Sequence, residues 1–301
     1  MLQNQAVIYI VGDTHNTKSL KTVLSRFDNI VSLGDIGAAV PKSIFFNNRL
    51  DRYRRTWKYF SNASASVDKI DIDWFTKLNS DGWREQINII SSSGKHFTLL
   101  MGNADLAMIS FFPECKQYLE SNISQQFTCV RKMTILTLNK IQIIFLPFQK
   151  EKYDLEMVRK HLDNSKMLFI LAHCPAFERS RKEYYMHTYH VVQEVSLIYP
   201  HEIAYVHGHM HPSQSYRYSL SNLPSVTFYC PKAEENFDGF GINNHVVRVD
   251  TATGKCSFID SITGEEKTFQ DLPEKYLRNE DHWNEFEENG NNQHTKAHWV
   301  E

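Results

Sequence analysis

The chain has no cysteine pairing pattern, no long apolar run and no excess of charge, and each absence removes a class of protein. Its five cysteines (Cys115, Cys129, Cys174, Cys230 and Cys256) are odd in number and include no CxxC pair, so neither a disulfide framework nor a thiolate zinc site is indicated. This usage fits a reducing, cytoplasmic setting. The longest apolar stretch, around Ile141 to Phe148, is about eight residues, well short of the roughly 18 that cross a bilayer. The opening MLQNQAVIYIVGD lacks the basic segment and small-residue cleavage site of a secretion signal, and its apolar part reads as a strand. A net charge of −2 argues against a polybasic nucleic-acid or membrane-surface protein, so an anionic partner must be held by a local site. With 12 Gly, 9 Pro and 42% hydrophobic residues among 301, a disordered or collagen-like chain is excluded.

What is abundant is histidine. Fourteen His outnumber the 12 Gly, and they cluster between His173 and His211. Short apolar runs that end in Gly or a polar residue read as buried strands near 6–11, 29–33, 97–101, 141–146, 167–172, 203–207, 225–229, 245–249 and 255–259. Helices are expected near 17–26, 73–92, 104–121 and 151–164, the last opening on Glu151 and Asp154. The order is βαβ first and mostly β later, which predicts an α/β protein of two packed mixed β-sheets flanked by helices. Asp35 and Asn103 are 68 residues apart, whereas one strand–helix–strand passage needs about 30. An insertion is therefore expected at about 40–75 within a domain spanning 1–270, followed by a polar, poorly ordered tail over 271–301.

Five apolar runs end in residues that can bind metal. AVIYIVG precedes Asp13 and His15, NIVSLG precedes Asp35, FTLLMG precedes Asn103, MLFILA precedes His173, and IAYVHG precedes His209 and His211. In open α/β sheets ligands bind beyond the carboxyl ends of strands, so five such ends would bring these seven residues to one crevice. Residues i and i+2 leaving a strand point the same way, which lets Asp13 pair with His15 and His209 with His211. Neutral imidazole, carboxylate and amide oxygen without thiolate suit manganese first, with iron or zinc as alternatives.

These pieces, GDTH, GD, GNAD, AHCP and GHMH in that order, resemble the calcineurin-like metallophosphoesterase superfamily, whose pattern is D-x-H, G-D, G-N-H-[DE], H and G-H-x-H. The resemblance covers about residues 7–212. It implies a β-sandwich flanked by helices and a binuclear centre in which Asp35 bridges. One ion would take Asp13, His15 and His211, the other Asn103, His173 and His209, with Asp35, Asn103 and His209 at the catalytic core. A hydroxide bridging the two ions would attack phosphorus, so no serine or cysteine nucleophile is needed. The chain departs from the pattern at Ala104, where many members carry a histidine near the leaving group. General acid catalysis is worth about 10²–10⁴-fold, and His187 or His190 are the replacement acids the sequence offers.

In the insertion, Arg52, Arg55 and Tyr59 fall on one helical face, which suggests a phosphate-facing cap in which Arg52 and Arg55 bind substrate; a solvated face is the plainer reading. The expected partner is a phosphorylated small molecule, with a nucleotide the leading candidate and no membrane involved. Two other functions compete: a metal-binding interaction scaffold without turnover, and a nuclease, which the near-neutral charge disfavours.

Overall fold

The computed structural model describes residues 5–14, 17–36, 69–180, 182–210, 212, 214–233 and 244–274. In chain order these form β1 (Val7–Val11), α1 (Thr17–Arg26), β2 (Ile30–Ser32), α2 (Lys69–Ser92), β3 (Phe97–Leu100), α3 (Asn103–Phe111), α4 (Pro113–Asn122), β4 (Phe127–Val130), β5 (Thr134–Leu138) and β6 (Ile141–Leu146). There follow α5 (Leu155–His161), β7 (Met167–Ala172), α6 (Glu183–Ile198), β8 (Ile203–His207), β9 (Tyr216–Leu220), β10 (Leu223–Cys230), β11 (His245–Asp250), β12 (Cys256–Asp260), β13 (Glu266–Lys267) and β14 (Gln270–Asp271). Six helices and fourteen strands are thus present among the described residues, and the strands make two seven-stranded mixed sheets. The first runs β13-β12-β11-β1-β2-β3-β4, the second β14-β9-β10-β8-β7-β6-β5.

Period-two alternation sorts the apolar side chains into three layers. Along β1, Ile8 and Ile10 face the second sheet, whereas Tyr9 and Val11 face the helices outside. Along β6 and β7, Ile141, Ile143, Phe145, Phe169 and Leu171 join Ile8 and Ile10 between the sheets, while Ile144, Leu146, Leu168 and Ile170 pack outward against α5 and α6. Helices α1 to α4 cover the other face through Leu20, Val23, Trp83, Ile87 and Leu119. The layering is helices, sheet, sheet, helices, which is the architecture the sequence pattern predicts.

The differences from expectation have local causes. The helix expected over 104–121 breaks at Phe112, because Pro113 has no amide hydrogen and cannot continue a helix but fits the first turn of the next. The helix expected over 151–164 shortens to α5, where Asp154 is the N-cap and accepts from Glu156 and Met157 N–H. Helix α6 is not anticipated, although Tyr185, Thr188, Tyr189, Val192 and Val195 bury one face at helical spacing. Strands β4, β5 and β9 are four or five residues long and mix polar with apolar side chains, so they do not stand out as apolar runs.

After β13, Gln270–Asp271 pairs with β9 and Leu272 is buried. Of the expected insertion, residues 40–68 lie outside the described residues, as do 275–301 of the expected tail. No described helix is long and apolar enough to cross a membrane.

Candidate metal centre

Five strands end at the same rim of the sandwich. From the first sheet β1 delivers Asp13, β2 Asp35 and β3 Asn103; from the second β7 delivers His173 and β8 His209. One ligand atom from each of Asp13, Asp35, His173 and His209 lies within 4.8 Å of all the others. Asn103 joins them, its Oδ1 2.7 Å from His173 Nε2, which is in turn 3.1 Å from His209 Nδ1. One backbone bond ties the two sheets at this rim, Phe148 N donating to Met101 O at 2.8 Å, while His173 N donates to Leu146 O at 3.2 Å within the second sheet. His15 and His211, and Arg52 and Arg55, lie outside the described residues.

The turns that carry these side chains are tight. Asp35 (φ 45°) and His209 (φ 68°) adopt left-handed conformations that cost a non-glycine residue roughly 1–2 kcal/mol. Strain at such positions is retained where the surroundings over-determine it. A Cβ on Gly102 would fall 2.1 Å from Asp35 Oδ1, one on Gly34 2.6 Å from His173 Nδ1, and one on Gly208 2.8 Å from Asp13 Oδ1. The glycines preceding three of the ligand turns are therefore needed for close approach.

The polar geometry fits a cation. His173 Nδ1 donates to the Leu33 carbonyl at 2.9 Å, so in the neutral ring Nε2 presents its lone pair to the cluster. That lone pair faces Asp35 Oδ2 at 3.6 Å and Asn103 at 2.7 Å. With the Asn103 oxygen turned inward, the side-chain lone pairs of Asn103, His173 and Asp35 face one another, and His173 Nε2 also accepts from the Asn103 backbone N–H at 3.4 Å. Turned the other way, its amide would donate to His173 Nε2 at 2.7 Å and His209 Nδ1 at 2.9 Å. A divalent cation satisfies the first arrangement, and the donor set is the oxygen and imidazole mixture such cations take. Asp35 Oδ1 is already engaged by Ala104 N–H at 2.8 Å, at the N-terminus of α3, while Asp13 Oδ2 accepts from His209 N–H at 3.1 Å.

Behind the rim lies Asp105, fully buried. Its Oδ1 accepts from Ile36 N–H at 3.2 Å and from Trp83 Nε1–H at 2.9 Å, and its Oδ2 from Gly102 N–H at 3.2 Å. Burial, reinforced by the nearby Asp35 carboxylate, pushes the Asp105 carboxyl up. His207, also buried, bonds Tyr218 Oη through Nε2 at 2.7 Å, and burial lowers its pKa to about 4. A wall of aromatic rings stands beside the cluster, with Phe148 6.2 Å from His173 and Tyr185 5.7 Å from His209, joined through Tyr184.

Ala104 is buried, and its methyl side chain carries no proton that could be donated. His187 and His190 both lie on α6. His190 is exposed, the Nδ1 of His187 is buried without a hydrogen-bond partner among the described residues, and neither hydrogen-bonds the four clustered side chains. Sequence reasoning missed Trp83 and the aromatic wall. Nothing in the spacing of α2 separates Trp83 from an ordinary core residue, and Tyr184 and Tyr185 could have been found only through the period of α6.

The family model for calcineurin-like phosphoesterases matches residues 6–213. No curated protein sequence matches the chain. Among solved structures, the chain is similar to TT1561 of Thermus thermophilus, at 9% identity and a TM-score of 0.41 over 85% of this chain and 99% of that one. It is also similar to a conserved uncharacterized protein of Streptococcus pneumoniae, described as a predicted phosphoesterase, at 11% identity and a TM-score of 0.30 over 88% and 98%.

Proposed function

We propose, from the premise that this chain belongs to the calcineurin-like phosphoesterase family, that it hydrolyses a phosphomonoester or phosphodiester, with a nucleotide as the leading candidate. The observation that carries this reading is the convergence of Asp13, Asp35, His173 and His209 at one buried rim. In this reading the site takes two divalent ions, manganese foremost. Asp13, His15 and His211 would hold one, Asn103, His173 and His209 the other, and Asp35 would serve both. Such ions supply Lewis acidity toward phosphoryl oxygens and activation of water.

The chain's own residues do the positioning. The Leu33 carbonyl fixes the His173 tautomer and aims Nε2 inward. The α3 amide at Ala104 holds one oxygen of Asp35 and leaves the other toward the cluster. Because Ala104 offers no proton, the leaving group departs unaided, which favours aryl esters over alkyl esters. Arg52 and Arg55 of the insertion grip a phosphate remote from the ions. Residues 1–270 make up the catalytic domain, and the five free cysteines support a reducing, cytoplasmic compartment.

The test is a screen of metal-reconstituted protein against substituted phenyl phosphates, aryl diesters, nucleotides and oligonucleotides. Turnover that needs metal and depends steeply on leaving-group pKa is expected. Metal uptake without turnover on any of them would establish the scaffold reading instead.

A further inference from the structure

Helix α2 lies outside every ligand turn, yet it reaches the site through one bond. Trp83 is fully buried among Leu20, Ile87, Met101 and Leu119, and its only polar atom, the indole N–H, is spent on Asp105 Oδ1 at 2.9 Å. The same carboxylate bridges two turns, taking the Ile36 amide, next to Asp35, on one oxygen and the Gly102 amide, next to Asn103, on the other. Asp35 closes the circuit by accepting from Ala104 N–H. Two turns separated by 68 residues in sequence are thus tied by two side chains, Asp35 and Asp105, and Asp105 is anchored to the core by Trp83.

We propose that Trp83 is a positioning residue for the metal centre, setting through Asp105 the separation between the turns that carry Asp35 and Asn103. The inference rests on the proposed metal-binding role of that rim. Its physical basis is that a fully buried carboxylate needs each of its donors. An indole N–H held rigidly by core packing keeps the carboxylate at one rotamer, so the two amides it accepts are held at one distance. Remove that donor and Asp105 must either draw in another group or swing toward water, and in both cases Ile36 and Gly102 lose their common partner. Partners of this kind behind a ligand typically contribute about 10- to 100-fold in metal affinity.

The experiment compares the full chain with Trp83→Phe, which keeps an aromatic ring and deletes the N–H, and with Ile87→Val, a fully buried position one turn along the same helix. Manganese affinity of the metal-stripped proteins is measured by calorimetry, alongside hydrogen exchange at the Ile36 and Gly102 amides without metal. Trp83→Phe is expected to weaken manganese binding about tenfold or more and to speed exchange at both amides, while Ile87→Val does neither at comparable loss of thermal midpoint. In an Asp105→Asn background, Trp83→Phe should add no further loss of affinity, because the path runs through that carboxylate. Equal effects from Trp83→Phe and Ile87→Val, or additive effects with Asp105→Asn, would overturn the proposal. If the parent chain takes up no metal, the functional reading fails on its own; the amide exchange then decides the clamp, faster in Trp83→Phe than in Ile87→Val supporting it and equal rates overturning it.

Discussion

The ligand turns and the hairpin turns both depend on glycine, and they use it for different physical reasons. In the hairpin after β11, Asp250 accepts from Ala252 and Thr253 N–H and Gly254 sits at φ 70°; the hairpin after β12 repeats this with Asp260, Ile262, Thr263 and Gly264 at φ 76°. Those glycines supply a left-handed backbone. Gly102 and Gly208, by contrast, have no positive φ, and their missing Cβ is what lets Asp35 and Asp13 approach. Gly34 needs both freedoms, at φ 123° with His173 against it, and Gly12 needs neither, its nearest non-local atoms standing at 3.6 Å. A glycine before a ligand is therefore informative only once its neighbours are known.

The largest effect should come from Gly102→Ala. Its Cβ meets the Asp35 backbone as well as the carboxylate, so the neighbour cannot rotate away. We expect a loss of about 3 kcal/mol of stability and at least about a hundredfold in turnover, read by denaturant unfolding and by metal content together; normal metal content with normal rate would show that the two turns can separate without harm. Gly254→Ala should cost about 1–2 kcal/mol, with metal content untouched, since the clash there is with the flexible Met167 side chain. A coupled loss of metal would mean that the two kinds of turn are not independent.

A smaller effect, confined to acid, is expected at His245, at the start of β11. Burial, and after it the Lys232 ammonium, holds this imidazole down from 6.5 to about 4, and its neutral Nδ1 accepts from the Ser215 hydroxyl at 2.8 Å. The folded state prefers the neutral ring while the unfolded chain takes up its proton near 6.5. The stabilisation is therefore complete above about pH 6.5 and is lost as pH falls toward about 4. His245→Asn should flatten that part of the thermal-midpoint profile, and parallel profiles for variant and parent would reject the assignment. Smallest of all is Gly12→Ala, expected to change stability by no more than about 0.5 kcal/mol and turnover by less than about twofold. A large loss there would erase the distinction between glycines that give room and glycines that do not.

The sequence made the layered fold legible because buried strands of this kind are nearly continuous apolar runs, and a polar side chain at each run's end marks the turn. Asp13, Asp35, Asn103, His173 and His209 could be placed together from that pattern alone. What stayed hidden depends on contacts between elements. Nothing in the sequence marks the partners of Asp105, and only the fold brings Trp83 Nε1–H and the Ile36 and Gly102 amides to its carboxylate. Helix α6 escaped because its buried face opens with Tyr185, Thr188 and Tyr189, which blur the apolar period before Val192 and Val195 continue it.

The place of β1 in its sheet carries a consequence for synthesis. One of its neighbours is β2, about 20 residues on, but the other is β11, whose pairing of Asp250 with Val7 and Val246 with Val11 waits for nearly the whole chain. Until residues 245–250 leave the ribosome, the VIYIV strand has an open edge, a template for mispairing with other chains. A chain stopped just after His211 would hold every candidate ligand and still leave that edge bare. It should aggregate, and the length of polypeptide needed for solubility should exceed the length that contains the chemistry by at least the 39 residues from Pro212 to Asp250.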